Sequence, residues 1–178
     1  MEYSWYTICE NTEELLQGDF ISACPILIPP STIKTGDEPE IDIQLIDSII
    51  LSQSCDLANN NIDIVLVCAY YPLKTFIDLL PADQTSTKRA KEKTIENLRK
   101  GFLPGYHLLN KLEDHLSDYQ VVDFRNVYGI QIDSLKNICK ELDNRVRLLP
   151  PYREHLSQAF ARYFMRVGLP QDLIVEGY

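Results

Sequence analysis

Residues 63–71 read Asp-Ile-Val-Leu-Val-Cys-Ala-Tyr-Tyr and form the most strongly apolar and β-branched stretch of the chain. Such a run is typical of a strand that is buried in a sheet. Residues 41–51 alternate through Ile41, Ile43 and Leu45 and then run apolar through Ile49-Ile50-Leu51, which predicts a second central strand. A short polar connection separates these two strands. The two segments therefore predict a sheet whose central strands are buried.

Further strands are predicted on both sides of this pair by aromatic and β-branched residues. They cover residues 2–9, 20–28, 106–109, 120–124, 127–130 and 145–149. Pro25 falls inside the second of these segments and has no N–H to donate to a sheet, so that strand is expected at an edge or at a bulge. The pattern predicts an α+β fold rich in short strands.

Helices are predicted where the apolar period changes or where capping residues occur. We expect a turn of helix at 15–16 and helices at 73–80, 86–100, 133–142 and 151–167, with Ser86 and Asp133 as caps and Gly101 as a stop. The last helix is the clearest, because its apolar residues recur at helical spacing. They are Leu156, Ala159, Phe160, Tyr163, Phe164 and Val167.

Charge is distributed unevenly along the chain. The 178 residues include 17 Lys and Arg against 26 Asp and Glu, a net charge of −9, which argues against a nonspecific nucleic-acid binder. Residues 1–86 alone have a balance of −12, whereas residues 87–178 have +3. Loop 31–40 is acidic and rich in turn residues, so we expect it to engage a protein partner with a basic surface. Binding of RNA is disfavoured.

Several classes of protein are excluded by composition. No apolar run reaches the roughly 18 residues that span a bilayer, and the N-terminus lacks a signal-peptide pattern, so a cytoplasmic protein without membrane contact is expected. Five widely spaced cysteines predict neither zinc nor disulfides. Phosphate-loop and dinucleotide motifs are absent, and no metal or cofactor is implied. The sequence decides neither whether the chain forms a homodimer nor whether it is an enzyme.

The local segment best suited to chemistry is Cys55-Asp56. Cys55 could act as a nucleophile with His155 as its base and Asp56 or Glu154 as the orienting group. The favoured alternative makes Ser52 to Asp56 a strand terminus, with Cys55 packed inward and the polar side chains bonded to backbone groups. A binding role is the third possibility.

A second candidate set is rich in arginine and contains Asp123, Arg125, Arg145, Arg147 and Arg153. Arg145 and Arg147 have strand spacing and therefore share a face. With Arg153 they could converge on one anion, or they could form a structural ion-pair network with Asp56 and Asp123. The basic helix 86–100 is interpreted as a solvated face, with nucleic-acid binding as the alternative.

The segments Gly18-Asp19-Phe20-Ile21, Ile49-Ile50-Leu51-Ser52 and 64–70, with a long loop after the first, resemble the opening of the MazF/PemK-type toxins over residues 18–73. The resemblance implies a small, bent SH3-like barrel with helices packed outside it. The family's ribonuclease uses an arginine just before the second strand, but Asp47-Ser48 occupy that place here. The resemblance therefore implies the fold and leaves the activity in doubt.

The Ser-Gln-Ser-Cys-Asp motif at 52–56, with Val121 to Arg125 and Tyr152 to His155, is also similar to small uncharacterised bacterial proteins, some from defence loci.

We expect one domain over 1–178, with a barrel core at about 2–73 and 105–149, a helical insert at about 73–101 and a C-terminal helix at about 151–167. The leading hypothesis is a non-catalytic or degenerate MazF-like interaction module, in a toxin–antitoxin or phage-defence system. The alternatives are a toxin-like endoribonuclease with rearranged residues around Arg125, Arg145, Arg147 and His155, and a cysteine hydrolase.

Overall fold

The computed structural model describes residues 3–11, 14–36, 38 and 40–165. The fold is α+β, as predicted. The strands of the described part are β1 (Tyr6–Glu10), β2 (Phe20–Ile28), β3 (Asp42–Ile50), β4 (Ile64–Pro72), β5 (Tyr106–Leu109), β6 (Gln120–Gln131) and β7 (Asn144–Leu148). The helices are α1 (Ser54–Ala58), α2 (Leu73–Leu79), α3 (Ala82–Thr85), α4 (Lys88–Arg99), α5 (Ile132–Lys140) and α6 (Tyr152–Phe164).

The strands form two antiparallel sheets. Five of them are ordered β2-β3-β4-β6-β5, and the other two pair as β1-β7. β3 and β4 lie inside the larger sheet, which confirms that the two most apolar strands are central. Within the described residues neither sheet closes on itself, so the barrel that the resemblance implies is not present as a closed ring of hydrogen bonds.

A tight corner at Gly18 joins the two sheets. The N–H of Gly18 donates to the carbonyl of Ile50 at 2.9 Å, and the N–H of Leu148 donates to the carbonyl of Gly18 at 2.9 Å. Gly18 has a φ of +86°, and a Cβ added there would lie 3.0 Å from Cβ of Leu148. Only glycine fits this corner without strain, so β7 is held directly against the start of β2.

Strand β2 has both features that Pro25 predicts. It is the first strand of the larger sheet, at its edge. Its register against β3 shifts between Ile21 and Cys24, and Ala23 within that shift has a φ of +48°. The extra residue of this bulge bends the strand, so the β2–β3 hairpin beyond it (residues 23–47) forms an arm, which we call the β2–β3 arm.

The larger sheet has a hydrophobic cluster on each face. On one face Phe20, Ile49 and Cys68 pack with residues of β1, β7 and α6, among them Tyr6, Leu148 and Leu156. The other face packs against α5 through Ile132, Leu135 and Cys139. A third, smaller cluster centres on Phe76, Leu98 and Val121 under α2 and α4. The β-sheet is therefore covered along most of its length on both sides.

Several predicted helix boundaries are wrong by a residue or more. Residues 14–18 form no helix, and residues 12 and 13 lie outside the described part. The cap of α4 is Thr87 rather than Ser86, because its hydroxyl accepts from the N–H of Ala90 at 3.1 Å. The cap of α5 is Gln131 rather than Asp133, since its side-chain oxygen accepts from the N–H of Ser134. Segments 120–124 and 127–130 form one continuous strand, β6.

Helix α6 confirms most of its predicted apolar stripe. Leu156 is fully buried, and Ala159, Phe160 and Tyr163 pack against the same cluster. Phe164 is 61% exposed, so its predicted place in the core is wrong, and Val167 lies outside the described residues. The helix is amphipathic and short, and in the part of the chain described here no helix is long and apolar enough to cross a membrane.

Candidate functional site

The candidate residues are distributed over three separate places. Arg145 and Arg147 lie between the two sheets, Asp123 and Arg125 lie on β6, and Cys55 faces the first turns of α6. Sequence spacing alone could not distinguish these places from one shared pocket. Each has its own surroundings and its own chemistry.

Arg145 and Arg147 both pair with Asp19, the residue after the Gly18 corner. Arg147 binds Asp19 through Nε and through a second nitrogen at 3.0 Å, and Nε of Arg145 lies 3.4 Å from the same carboxylate. The side chains of Asp19 and Arg145 are fully buried. Their partner is thus Asp19 rather than Asp56 or Asp123, because β7 adjoins the start of β2.

Backbone groups complete this ion-pair cluster. The carboxylate of Asp19 also accepts from the N–H of Leu16 at 3.2 Å. Arg147 donates to the carbonyl of Glu14 at 2.6 Å, and Arg145 donates to the carbonyl of Asn11 at 3.3 Å. A buried charge that is paired and hydrogen-bonded in this way holds a loop in place. The cluster therefore ties the chain between β1 and β2 to β7.

Asp123 and Arg125 form a second cluster, at the surface of β6. Arg125 binds both carboxylate oxygens of Asp123, at 2.8 and 2.7 Å, and the hydroxyl of Tyr71 donates to it at 2.9 Å. Burial opposes ionisation of Asp123, but these hydrogen bonds and the guanidinium outweigh it and hold the pKa of the carboxyl below its usual value. The guanidinium of Arg125 also lies 4.5 Å from the ring centre of Tyr106.

Cys55 lies in a polar cleft of about 380 Å³ between α1 and α6, which we call the Cys55 cleft. Its lining residues are Gln17, Gln53, Ser54, Cys55, Arg153, Glu154, Ser157 and Gln158. The motif at 52–56 and the start of α6 are thus neighbours. Arg153 is paired with Glu154 at 2.7 Å and does not join Arg145 and Arg147 on Asp19.

Two expectations about Cys55 are changed by this geometry. The segment begins helix α1 instead of ending a strand, and Cys55 is exposed rather than packed inward. Ser52 and Ser54 do bond backbone groups as expected, accepting from the N–H of Leu66 at 2.9 Å and of Gln17 at 3.2 Å. His155 does not line this cleft and lies instead beside His107, so the structure does not assemble the nucleophile and base of a cysteine hydrolase.

Alkylation of the native protein is expected to modify Cys55 and none of the other four cysteines. Cys9, Cys24, Cys68 and Cys139 are buried, and burial raises the pKa of the Cys24 thiol to about 12 and that of Cys139 to about 11. Mass spectrometry after iodoacetamide should show one label in buffer and five in denaturant. Labelling of any second cysteine in buffer would contradict the burial. A Cys55→Ser variant, taking no label in buffer, is the control.

The β2–β3 arm exposes an apolar face that the sequence pattern had predicted to be buried. Leu27 pairs with Ile43, and Pro25 pairs with Leu45, so these four side chains lie on one face of the hairpin. Leu27, Ile43 and Leu45 are 64%, 59% and 69% exposed. Ile41, which precedes β3 by one residue, is 55% exposed and continues the alternation.

This exposed face belongs to the side of the sheet that β1, β7 and α6 cover elsewhere. Ile49 and Phe20 are paired on that side and are buried in the core, whereas the arm extends past the covering strands. We call the exposed side chains Leu27, Ile41, Ile43 and Leu45 the arm face. The alternation at 41–45 predicted a buried strand. These side chains are exposed because β1, β7 and α6 do not extend far enough to cover them.

Comparison of the sequence with protein-family models and with curated proteins finds no match. In the described part of the chain, no group of three or more His, Cys, Asp or Glu side chains is placed to hold a metal ion. The geometry of the described residues is therefore the basis on which a function is proposed.

Proposed function

We propose that this chain is a protein-interaction module that binds a basic, amphipathic helix on its arm face. The observation that supports the proposal is the exposure of four large aliphatic side chains on one face of a hairpin. Contiguous exposed apolar residues with a polar rim are typical of a protein-binding surface. The proposal keeps the sequence-based hypothesis of an interaction protein and moves the contact from loop 31–40 to the strands beside it.

The charge around the arm favours a basic partner. Between Phe20 and Ile50 the sequence has five acidic residues, Asp37, Glu38, Glu40, Asp42 and Asp47, against the single base Lys34. Asp42 and Asp47 are exposed on β3 itself. An acidic rim around an apolar surface attracts Lys and Arg side chains and orients the partner before contact.

The backbone of β2 favours a helix over an added strand. The outer edge of an edge strand can pair with a strand from another protein. Here Pro25 has no N–H to offer, and the bulge at Ala23 bends the edge. A helix that places its apolar side on the arm face needs none of these backbone groups, because its own hydrogen bonds are internal.

Substitution of Leu45 by Ser is expected to weaken binding of a basic amphipathic helix by about tenfold or more, because a buried Leu contributes about 1.5 kcal/mol or more of transfer free energy. The probe is a synthetic helix of about five turns with Leu on one side and Lys on the other. Isothermal titration calorimetry measures the affinity, and backbone amide shifts locate the contact. The affinity should fall as salt is raised, since exposed charges are screened.

The matched control is Leu79→Ser, because Leu79 on α2 is also 69% exposed. It should leave the affinity unchanged. The same peptide with Glu in place of Lys should bind much more weakly. Equal effects of the two Leu substitutions, amide shifts outside residues 20–50, or no preference for the basic peptide would contradict the proposal.

We further propose that the module is a degenerate relative of the MazF/PemK-type toxins with an SH3-like core, in a bacterial toxin–antitoxin or defence system. Supporting this, the Gly18 corner continues β7 onto the start of β2, so the two sheets wrap around one core. Asp47 and the buried Ser48 occupy the place of the family's arginine. The residues of the endoribonuclease alternative lie in three places, with Arg145 and Arg147 on Asp19, Arg125 on Asp123 and His155 in another cleft.

A further inference from the structure

A cleft of about 300 Å³ lies between the end of α4, strand β5 and helix α6. Its polar lining residues are Arg99, Lys100, Tyr106, His107, His155 and Arg162, and its apolar ones include Leu98, Leu108 and Ala159. None of the residues that line it is a carboxylate. We call it the cationic cleft.

The charge of this cleft is opposite in sign to the net charge of the chain. Acidic residues outnumber basic ones by 26 to 17 overall, yet three permanent cations and two imidazoles meet here with no acid in the lining. Arg99 and Lys100 lie at the end of α4 and Arg162 lies on α6, 62 residues beyond Lys100, so local sequence composition does not produce the arrangement. Tertiary packing of α6 beside α4 and β5 does.

Part of this charge is already compensated, and part is not. Glu96, outside the lining, pairs with Arg99 at 2.8 Å and with Lys100 at 3.0 Å. Arg162 donates only to the carbonyl of Gln158, at 3.3 Å, and has no carboxylate partner among the described residues. The imidazole of His155 has no hydrogen bond in the described part, and Glu154 is the acid nearest to it in sequence.

His107 contributes a neutral imidazole to the floor of the cleft. Its ring lies nearly parallel to that of Phe124, with centres 6.4 Å apart. Burial, followed by repulsion from His155 and Arg162, lowers the pKa of His107 to about 4. At neutral pH His107 therefore offers one N–H donor and one acceptor, and adds no charge to be desolvated.

The last carbonyls of α4 already accept hydrogen bonds and do not compete with a ligand for the cations of the cleft. Those of Glu96, Asn97 and Leu98 accept from the N–H groups of Lys100, Phe102 and Gly101, at 2.8 to 3.0 Å. The negative end of the helix is thus occupied by its own C-terminal turn. What faces the cleft from α4 are the side chains of Arg99 and Lys100.

We propose that the cationic cleft binds the phosphate group of a nucleotide or of RNA, with Arg162, Lys100 and His155 as its main contacts. Guanidinium and ammonium groups bind phosphate oxygens through charge-assisted hydrogen bonds. The apolar wall formed by Leu98, Leu108 and Ala159 suits the organic part of such a ligand. The volume is at the lower end of the range for small-molecule sites, about 300–1,000 Å³. This site is separate from the arm face and goes beyond the proposed function.

The chain offers an internal control, because it has three histidines and two of them line the cleft. His115 is exposed in the loop between β5 and β6. Titration with adenosine 5′-monophosphate at about 0.15 M salt should shift the ring-proton NMR signals of His155 and His107 and leave that of His115 in place. Equal shifts of all three signals, or no shift, would overturn the proposal.

Matched variants remove one positive charge each. Arg162→Gln should weaken nucleotide binding by about tenfold or more, as expected when a hydrogen bond to a charged group is lost, whereas Arg89→Gln on the exposed side of α4 should not. Lys100→Gln and its control Lys91→Gln repeat the comparison on a single helix. Equal effects within both pairs would also overturn the proposal.

A second arm of the experiment identifies the source of the phosphate. Short single-stranded RNA that binds more tightly than the mononucleotide, with the same dependence on Arg162, points to a phosphodiester ligand. Tighter binding of the mononucleotide points to a free nucleotide. Binding of either ligand that is unaffected by Arg162→Gln would place it outside the cleft and reject the site.

Discussion

Replacing Asp19 with Ala is expected to lower the free energy of unfolding by about 3–5 kcal/mol. Asp19 is fully buried, and its carboxylate pairs with two guanidiniums, that of Arg145 being fully buried as well. Removal of the carboxylate takes this buried acid away from both cations in a site with little water. Urea denaturation followed by circular dichroism measures the change.

The control is an exposed cluster in which one carboxylate likewise pairs with two cations. Glu96 also pairs with two cations, Arg99 and Lys100, but all three side chains are 42% to 63% exposed. Glu96→Ala should change the free energy of unfolding far less than Asp19→Ala does, because solvent screens an exposed ion pair. A triple variant that replaces Asp19, Arg145 and Arg147 with apolar residues should recover much of the lost stability. A loss in Asp19→Ala no larger than in Glu96→Ala would contradict this account.

Leu156→Ala is expected to lower the free energy of unfolding by about 2–5 kcal/mol, because it removes a fully buried side chain and leaves a cavity. Leu156 joins α6 to the cluster formed by Phe20, Tyr6 and Leu148. Phe164→Ala, on the same helix, should cost about 1 kcal/mol or less, since Phe164 is 61% exposed and its ring contacts among the described residues are with Phe160 and Tyr163 of α6. Similar losses for the two variants would show that α6 is packed differently.

Much of the fold could be predicted from the sequence because the signals are local. The continuous apolar run of β4 and the helical spacing of Leu156, Ala159 and Phe160 each require a particular element. Pro25 predicted that β2 lies at an edge or has a bulge, and β2 has both features. The caps were missed because Ser86 and Thr87, or Gln131 and Asp133, are close in sequence, and only backbone geometry decides which side chain accepts the hydrogen bond.

The candidate sites were less predictable because they depend on which elements become neighbours. Arg145 and Arg147 were expected to share a face, and they do, but Asp19 is 126 residues from Arg145 in sequence. The cationic cleft joins His107 to Arg162 in the same way. The exposure of Ile43 and Leu45 depends on where β1, β7 and α6 end. The sequence of residues 41–45 holds no information about those ends.

The pairing of β1 with β7 has a consequence for how the chain is made. Within the described residues β1 pairs with β7, and this pairing cannot form until Asn144–Leu148 has left the ribosome, at least 134 residues later. Protein synthesis proceeds at about 5–20 residues per second, so this interval is on the order of ten seconds. Tyr6 and Phe20 stay without the covering residues Leu148 and Leu156 throughout that time. The nascent N-terminal half therefore exposes apolar side chains of the kind that chaperones bind, and a chain that stops before residue 144 cannot complete its core.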